Sequence, residues 1–315
     1  MIPMPPRRAA IALLACLFGA VGAAQAQTAA PNPGFTPQVG QAGKDVIWVP
    51  TPDGLVDRML RMAQVTANDF VVDLGSGDGK IVIAAARNFG ARALGVEYNP
   101  DMVTLSRRNA ERAGVTERAR FEQGDIFKFD FTAADVVTMY LLPTLNLQLR
   151  PTLLQMRPGT RLTSHQFTMG DWEPDETSTV DSRPGYLWIV PANAGGNWKM
   201  QWRDAAGAGE ADVEIDQTFQ KIKGTVRFAQ LQTTLREPAL RGERIRFELM
   251  DERGVLRRFE GRLAGGRMEG TVTGPGGASG TFSATRPNPP PPIRTGSGSG
   301  DWRSASDAAF IVNTR

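Results

Sequence analysis

Asp73, Gly75, Gly77 and Gly79 stand in the order D-x-G-x-G-x-G, directly after the apolar run 70–74 and before a segment with helical periodicity. Glycines at that spacing let a backbone turn sharply and approach a ligand closely. Open α/β sheets bind ligands in the crevice at the carboxyl ends of their strands, where this loop falls. Glu97 ends the next strand-like run, 93–97, and a carboxylate there can accept both hydroxyls of a ribose. Asp125 follows a third run in Gly124-Asp125-Ile126. Its carboxylate can accept from an adenine amino group while Ile126 packs on the ring. A dinucleotide loop would read G-x-G-x-x-G and set a pyrophosphate on the helix N-terminus. Here the third glycine comes one residue early, and Asp78 sits inside the loop with Ser76. An acid there disfavours a phosphate. It suits a positively charged amino-acid end, such as the methionine part of S-adenosylmethionine. The bland alternative is that Glu97 and Asp125 are solvated strand-end residues, as any α/β protein carries.

The remaining inventory narrows the chemistry. The 315 residues contain one Cys, Cys16, and one His, His165. No internal disulfide, Cys-based metal site or multi-His metal centre can be built from them. The expected metal content is none. Lys and Arg total 36 against 33 Asp and Glu. Removal of Arg7 and Arg8 with a leader would leave 36 − 2 = 34, near balance. A nucleic-acid surface would cluster its basic residues, so no nucleic-acid partner is expected. His165, near a strand end, reads as a structural hydrogen-bonded imidazole or as a proton acceptor.

The elements that must carry these residues alternate. Helical spacing marks 55–63, 81–88, 102–113 and 145–156, the last with Pro151 expected to restart it. Strand-like runs mark 70–74, 93–97, 119–122, 135–142 and 161–167. Strands alternating with helices predict a Rossmann-like, doubly wound, mostly parallel sheet over 45–185. From about Gly185 the text changes to short strand-like runs divided by glycine turns, beginning at 186–190. That predicts a small all-β antiparallel barrel or sandwich over 186–286, with a hairpin at Gly265-Gly266. Trp198 and Trp202 read as its core, and Met59 and Met62 as core of the first domain. Residues 27–44 read as a linker, and 287–315 as a Pro/Gly/Ser-rich disordered tail.

Arg7-Arg8, the apolar run 9–24 and Ala24-Gln25-Ala26 read as a signal peptide over 1–26, cut after Ala26. That predicts a periplasmic or exported protein with no stable membrane span after cleavage. The alternatives are an uncleaved signal that anchors the chain in a membrane, and a lipoprotein box at Leu13-Leu14-Ala15-Cys16.

Several phrases together carry a resemblance. They are Trp48-Val49-Pro50-Thr51-Pro52, Asp73-Leu74-Gly75-Ser76-Gly77-Asp78-Gly79-Lys80, Tyr140-Leu141-Leu142-Pro143, Leu149-Arg150-Pro151, and Ser164-His165-Gln166-Phe167 with Gly170-Asp171-Trp172. The stretch from Val46 to about Asp175 resembles the class I, seven-strand S-adenosylmethionine-dependent methyltransferases. Within them it looks like the small protein-lysine methyltransferases whose members include mitochondrial enzymes acting on inner-membrane proteins. The resemblance implies S-adenosylmethionine as cofactor. It assigns the loop Asp73 to Gly79 to the cofactor, Glu97 to the ribose and Asp125 to the adenine, with Thr51 and Pro52 closing over the methionine end. Tyr140 would line the slot for the acceptor nitrogen. Methyl transfer needs an aligned neutral nucleophile more than a strong base. Tyr140 is therefore a positioning or cation–π group, or else a packed aromatic. The implied partner is a protein acceptor, with a lysine of a membrane or envelope protein as candidate. A rival from another class is an exported, non-catalytic nucleoside- or peptide-binding protein on the same fold.

Overall fold

The computed structural model describes residues 34–295, so the expected signal peptide and the end of the tail lie outside the described residues. Apolar periodicity builds the first layer. α1 (Asp53–Met62) buries Leu55, Val56, Met59, Leu60 and Met62 on one side. It precedes β1 (Phe70–Leu74), α2 (Lys80–Phe89), β2 (Arg92–Glu97), α3 (Pro100–Arg112), β3 (Ala119–Gln123), β4 (Val136–Met139), α4 (Pro143–Leu154), β5 (Arg161–His165), β6 (Glu176–Val180) and β7 (Arg183–Ile189). These strands form one mixed sheet in the order β3-β2-β1-β4-β5-β7-β6. The first five are parallel, and β7 runs antiparallel to β5 and β6. The chain leaves β1 toward β2 on one side and returns to β4 on the other. The carboxyl end of β1 is thus the topological switch point, where such sheets open a crevice.

Local chemistry sets the element ends. The Asn99 side chain accepts from the Asp101 N–H at 2.9 Å, and Pro100 starts α3. α4 is one helix from Pro143 through Pro151 to Leu154, not two. Pro151 sits near its C-terminal end, where a single lost backbone donor is tolerated. β6 was not read from the sequence. It is a polar edge strand, Glu-Thr-Ser-Thr-Val, with no fully buried position. It joins β7 through Asp181 and Ser182, both at positive φ, as a tight hairpin requires.

The first sheet ends later than the sequence suggested. The run at 186–190 was expected to open the β domain. Most of it belongs to β7, where Leu162 pairs with Trp188 and both are buried. The change of sheet falls between Ile189 and Gly196. A strand's own residues report burial and alternation, not which sheet it joins.

The second sheet holds β8 (Gly196–Asp204), β9 (Gly207–Thr218), β10 (Lys221–Arg227), β11 (Gln232–Thr234), β12 (Arg236–Arg241), β13 (Arg244–Met250), β14 (Leu256–Ala264), β15 (Arg267–Thr273) and β16 (Ser279–Thr285). All neighbours are antiparallel, in the order β11-β10-β9-β8-β16-β15-β14-β13-β12. Its two edges curl together so that β10 packs near β12, giving a barrel-like, nearly closed sheet. Strict alternation fills the inside with Trp198, Trp202, Phe247, Phe259 and Phe282. The hairpin at Gly265-Gly266 is present, with Ala264 paired to Arg267. Inside the barrel, fully buried Arg257 donates to Asp204 Oδ2 at 2.7 Å and to Asp251 Oδ2 at 2.6 Å.

The two sheets meet at the β9–β10 turn. Phe219, at φ +50°, stacks on Trp172 with centroids 5.7 Å apart. Gln217 bonds the backbone of Ala192, Ala194 and Phe219. Trp172 is therefore core. Part of the expected tail is also docked. Arg294 bridges Thr218 and pairs with Asp216, and Asn193 donates to Pro291 O. No helix among the described residues is long and apolar enough to cross a membrane.

Candidate active site

The strand ends of the mixed sheet form one wall of a cavity of about 450 Å³. Thr51, Asp73, Gly75, Ser76, Gly77, Asp78, Glu97, Asp125, Ile126 and Tyr140 all line it, whereas Gly79 and Pro52 do not. β1 delivers Asp73, whose side chain is buried beside its register partner Thr138 on β4. The Thr138 hydroxyl donates to Asp73 Oδ1 at 2.6 Å. Burial outweighs that bond and, with Asp78 and Glu97 nearby, pushes Asp73 up to about 7. Burial also raises Asp78, against the opposing pull of the Lys80 N–H and ammonium. Two carboxyls held above their ordinary range in one cavity favour a cationic visitor.

The glycine loop has the torsions its residues foretold. Gly75, Gly77 and Gly79 have φ of +77°, +54° and +83°. A Cβ on Gly77 would stand 2.7 Å from the Trp48 indole nitrogen. The three glycines nonetheless differ in job. Gly79 starts α2 and faces inward, where a Cβ would stand 2.6 Å from the Phe121 ring. Its place in the D-x-G-x-G-x-G spacing comes from packing β3 and α3 against the loop, so it is not a wall of the cavity. Ser76 is buried, and its Oγ has no hydrogen-bond partner among the described residues.

Glu97 is fixed by the backbone, accepting from the Gly77 and Asn99 N–H groups, each at 2.9 Å. Asp125 caps its own turn through the Phe127 N–H, which with Lys44 holds it below the usual carboxylate range. Ile126 lies beside it on the wall. Across the sheet, β3 to β1 thus present Asp125, Glu97 and the glycine loop in sequence. Beyond β1 lies a different neighbourhood. Tyr140 follows β4, and its ring lies 3.8 Å from that of His165, at the end of β5. Phe167 stacks on Tyr140 at 6.2 Å. Leu141, Leu142, Leu145 and Arg183 complete that end.

Thr51 lines the cavity, but its hydroxyl lies 3.0 Å from His165 Nδ1. The geometry makes it a partner of the imidazole. Burial and the Arg183 charge lower His165 to about 4, so its ring is neutral at ordinary pH. Burial raises Tyr140, so the phenol keeps its proton.

The region read as a linker contributes the opposite wall. Gln41 and Trp48 hydrogen-bond across a tight turn, and the strap between them borders the cavity. Lys44 donates to Asp125 Oδ2 at 3.1 Å and lies 5.0 Å from the Tyr98 ring centroid. Composition gave no signal for Lys44, because a Gly- and Gln-rich run has no periodicity to read. Among the described residues no group of three His, Cys, Asp or Glu is placed to hold a metal.

A parallel-centred sheet with a glycine loop at its switch point and acids after three successive strands is the architecture of a nucleoside-cofactor enzyme. Residues 73–176 match a family described as the ANTKMT methyltransferase domain. A protein-lysine N-methyltransferase of Saccharolobus islandicus is 42% identical over 151 residues, which cover 46% of this chain and 94% of that one. The adenine nucleotide translocase lysine N-methyltransferase of Mus musculus is 34% identical over 128 residues, 40% of this chain and 55% of that one. A Salinibacter ruber RNA methyltransferase, solved with S-adenosylhomocysteine, is 51% identical with a TM-score of 0.44, over 45% of this chain and 94% of that one. The protein is an S-adenosylmethionine-dependent methyltransferase. Through its mixed sheet, the chain belongs to the protein-lysine methyltransferase family. The family match ends at residue 176, before the second sheet begins at Gly196.

Proposed function

We propose that the chain is a class I methyltransferase that moves a methyl group to a lysine amine of a protein. The observation that carries this reading is one cavity with two unlike ends. Asp125, Glu97 and the glycine loop form an acidic, hydrogen-bonding end, and Tyr140, Leu141, Leu142 and Phe167 form a largely apolar one. The first suits S-adenosylmethionine, with Asp125 toward adenine, Glu97 toward ribose, and Asp73 and Asp78 toward the methionine ammonium. When bound, the cofactor supplies a sulfonium methyl: the N–C bond forms as the S–C bond breaks, sulfur keeps the electron pair as a thioether, and nitrogen takes the positive charge. The apolar end suits the hydrocarbon stem of a lysine, and the Tyr140 ring faces the nitrogen as it becomes cationic.

The names of the relatives support a protein acceptor. The signal-like leader, Arg7-Arg8 and the apolar run 9–24, supports a membrane or envelope protein as that acceptor. Cell fractionation with N-terminal sequencing tests the location, and a protein beginning at Met1 in the cytoplasm refutes it. The site itself is tested by calorimetry with S-adenosylhomocysteine. Glu97→Ala removes a charged acceptor of two hydrogen bonds and is expected to lower affinity at least about tenfold. Unchanged affinity in a folded variant rejects the ribose assignment.

A further inference from the structure

The apolar end of the cavity holds no carboxylate. The lining acids belong to the strap, the glycine loop and the ends of β1, β2 and β3. Past them the polar side chains are Thr51, Tyr140, His165, Gln166 and the cation Arg183. His165 is 1% exposed. Its Nδ1 is taken by Thr51, and its Nε2 has no hydrogen-bond partner among the described residues. Buried polar atoms are nearly always paired, so an orphan on a cavity wall calls for an explanation. The Tyr140 ring lies against the imidazole, with an interplanar angle of 35°, and fixes its plane.

We propose that His165 Nε2 accepts a hydrogen bond from the acceptor amine and so aligns its lone pair for methyl transfer, an inference that rests on the amine-methylation reading above. It requires the tautomer with the proton on Nδ1, donated to Thr51 Oγ1, which leaves Nε2 an acceptor without a partner among the described residues. A neutral amine offers its N–H bonds to this acceptor and keeps its own lone pair free. A donor in the same place would compete for that lone pair. A carboxylate would hold the amine as ammonium, the unreactive form. The groups around His165 avoid this: Tyr140 after β4 keeps its proton, Thr51 is uncharged, and Arg183 on β7 repels an ammonium. As nitrogen gains charge during transfer its N–H bonds become stronger donors. The contact therefore tightens on the way to the transition state, the kind that raises kcat. The product ammonium releases its proton to water. His165, held near 4, is too weakly basic to retain it.

The single histidine of the chain makes the test direct. The full chain with 15N-labelled histidine, saturated with S-adenosylhomocysteine, is followed by NMR while n-butylamine is added. The expected result is an unprotonated Nε2 at neutral pH whose signal moves on addition of amine. In parallel, labelled methyl transfer to poly-lysine is measured. His165→Leu is expected to lose roughly 10- to 100-fold in kcat, the worth of a hydrogen bond to a charged partner. His165→Gln, which offers an oxygen near the Nε2 position, is expected to recover part of it. Both should bind S-adenosylhomocysteine within about twofold of the parent. A proton on Nε2, a signal indifferent to amine, or a Leu variant as fast as the parent overturns the proposal. So does loss of S-adenosylhomocysteine affinity in both variants, which would assign His165 to the cofactor. A parent that transfers no methyl to poly-lysine, yet shows the amine shift, overturns the transfer reading and supports the amine contact.

Discussion

In the antiparallel sheet Arg257 is wholly buried, and two carboxylates close on it. In the mixed sheet Asp73 is almost as buried, and its side chain has a single threonine hydroxyl for company. The consequences run in opposite directions. The Arg257 guanidinium holds Asp204 below the ordinary carboxylate range. Burial pushes Asp251 up, but the Val255 N–H and Arg257 outweigh it and hold it low as well. These charges are the stable forms of groups satisfied within the chain. Asp73 and Asp78 are pushed up and His165 down, so in each the surroundings oppose the charged form. Groups left in that condition around a cavity are completed by something from outside.

The sharpest way to break this comparison is to remove the barrel's cation. Arg257→Leu would leave Asp204 and Asp251 buried without a partner. Loss of one member of such a cluster costs about 3–5 kcal/mol, read by chemical denaturation. A loss below about 1 kcal/mol would mean that the barrel relaxes to hydrate its acids, and the contrast with Asp73 would dissolve.

The next effect concerns His165. Its ring takes a proton near 6.5 when unfolded and near 4 when folded. Its contribution to stability is therefore complete above about pH 6.5 and is lost as pH falls toward 4, by roughly 3 kcal/mol. Denaturation curves of the parent and His165→Gln, taken across that window, should converge or cross by this amount. Parallel curves would show that the imidazole is hydrated in the folded chain.

The smallest effect sharpens the comparison from the other side. Asp73→Asn keeps an oxygen for the Thr138 hydroxyl and removes a carboxyl that burial disfavours as an anion. Above pH 7 it is expected to be more stable than the parent by about 1 kcal/mol, while binding S-adenosylmethionine about tenfold less tightly. In the parent, the carboxyl must be ionised to meet the cofactor's ammonium. Affinity should be weak below about 7, the value to which burial lifts Asp73, and rise through it. Calorimetry in buffers of different ionisation heat would register the proton released. Flat affinity across that range would remove Asp73 from the ammonium contact.

Much of the site was legible because glycine and strand-end acids answer to local rules. Gly75 and Gly77 required positive φ, and Glu97 and Asp125 followed from where strands had to stop. Gly79 satisfied the same spacing for another reason, since spacing reports torsion and not which way a Cα faces. Thr51 stood in the right phrase, yet its partner His165 is 114 residues away in sequence, beyond any local pattern. The fold was legible where apolar periodicity was strong, as in α1 and the barrel strands. It failed at β6, which is polar and at an edge, and at β7, whose text suits either sheet. The docking of Arg294 against Asp216 and Thr218 could not be seen in a Pro-rich run whose contacts are single side chains.

The Lys44–Asp125 pair bears on timing. Asp125 Oδ2 already has a donor in the Lys44 ammonium, on the strap that borders the cavity. Under the cofactor assignment proposed above, a purine that uses that oxygen shares it with the lysine or displaces it. Both groups reach solvent, with side-chain exposures of 34% and 18%, so dissolved salt can screen them. Higher ionic strength is expected to weaken this pair and free Asp125 for a nucleoside. Faster association of S-adenosylhomocysteine at higher salt, read by stopped flow, is the expected outcome, the reverse of the usual effect on a charged encounter.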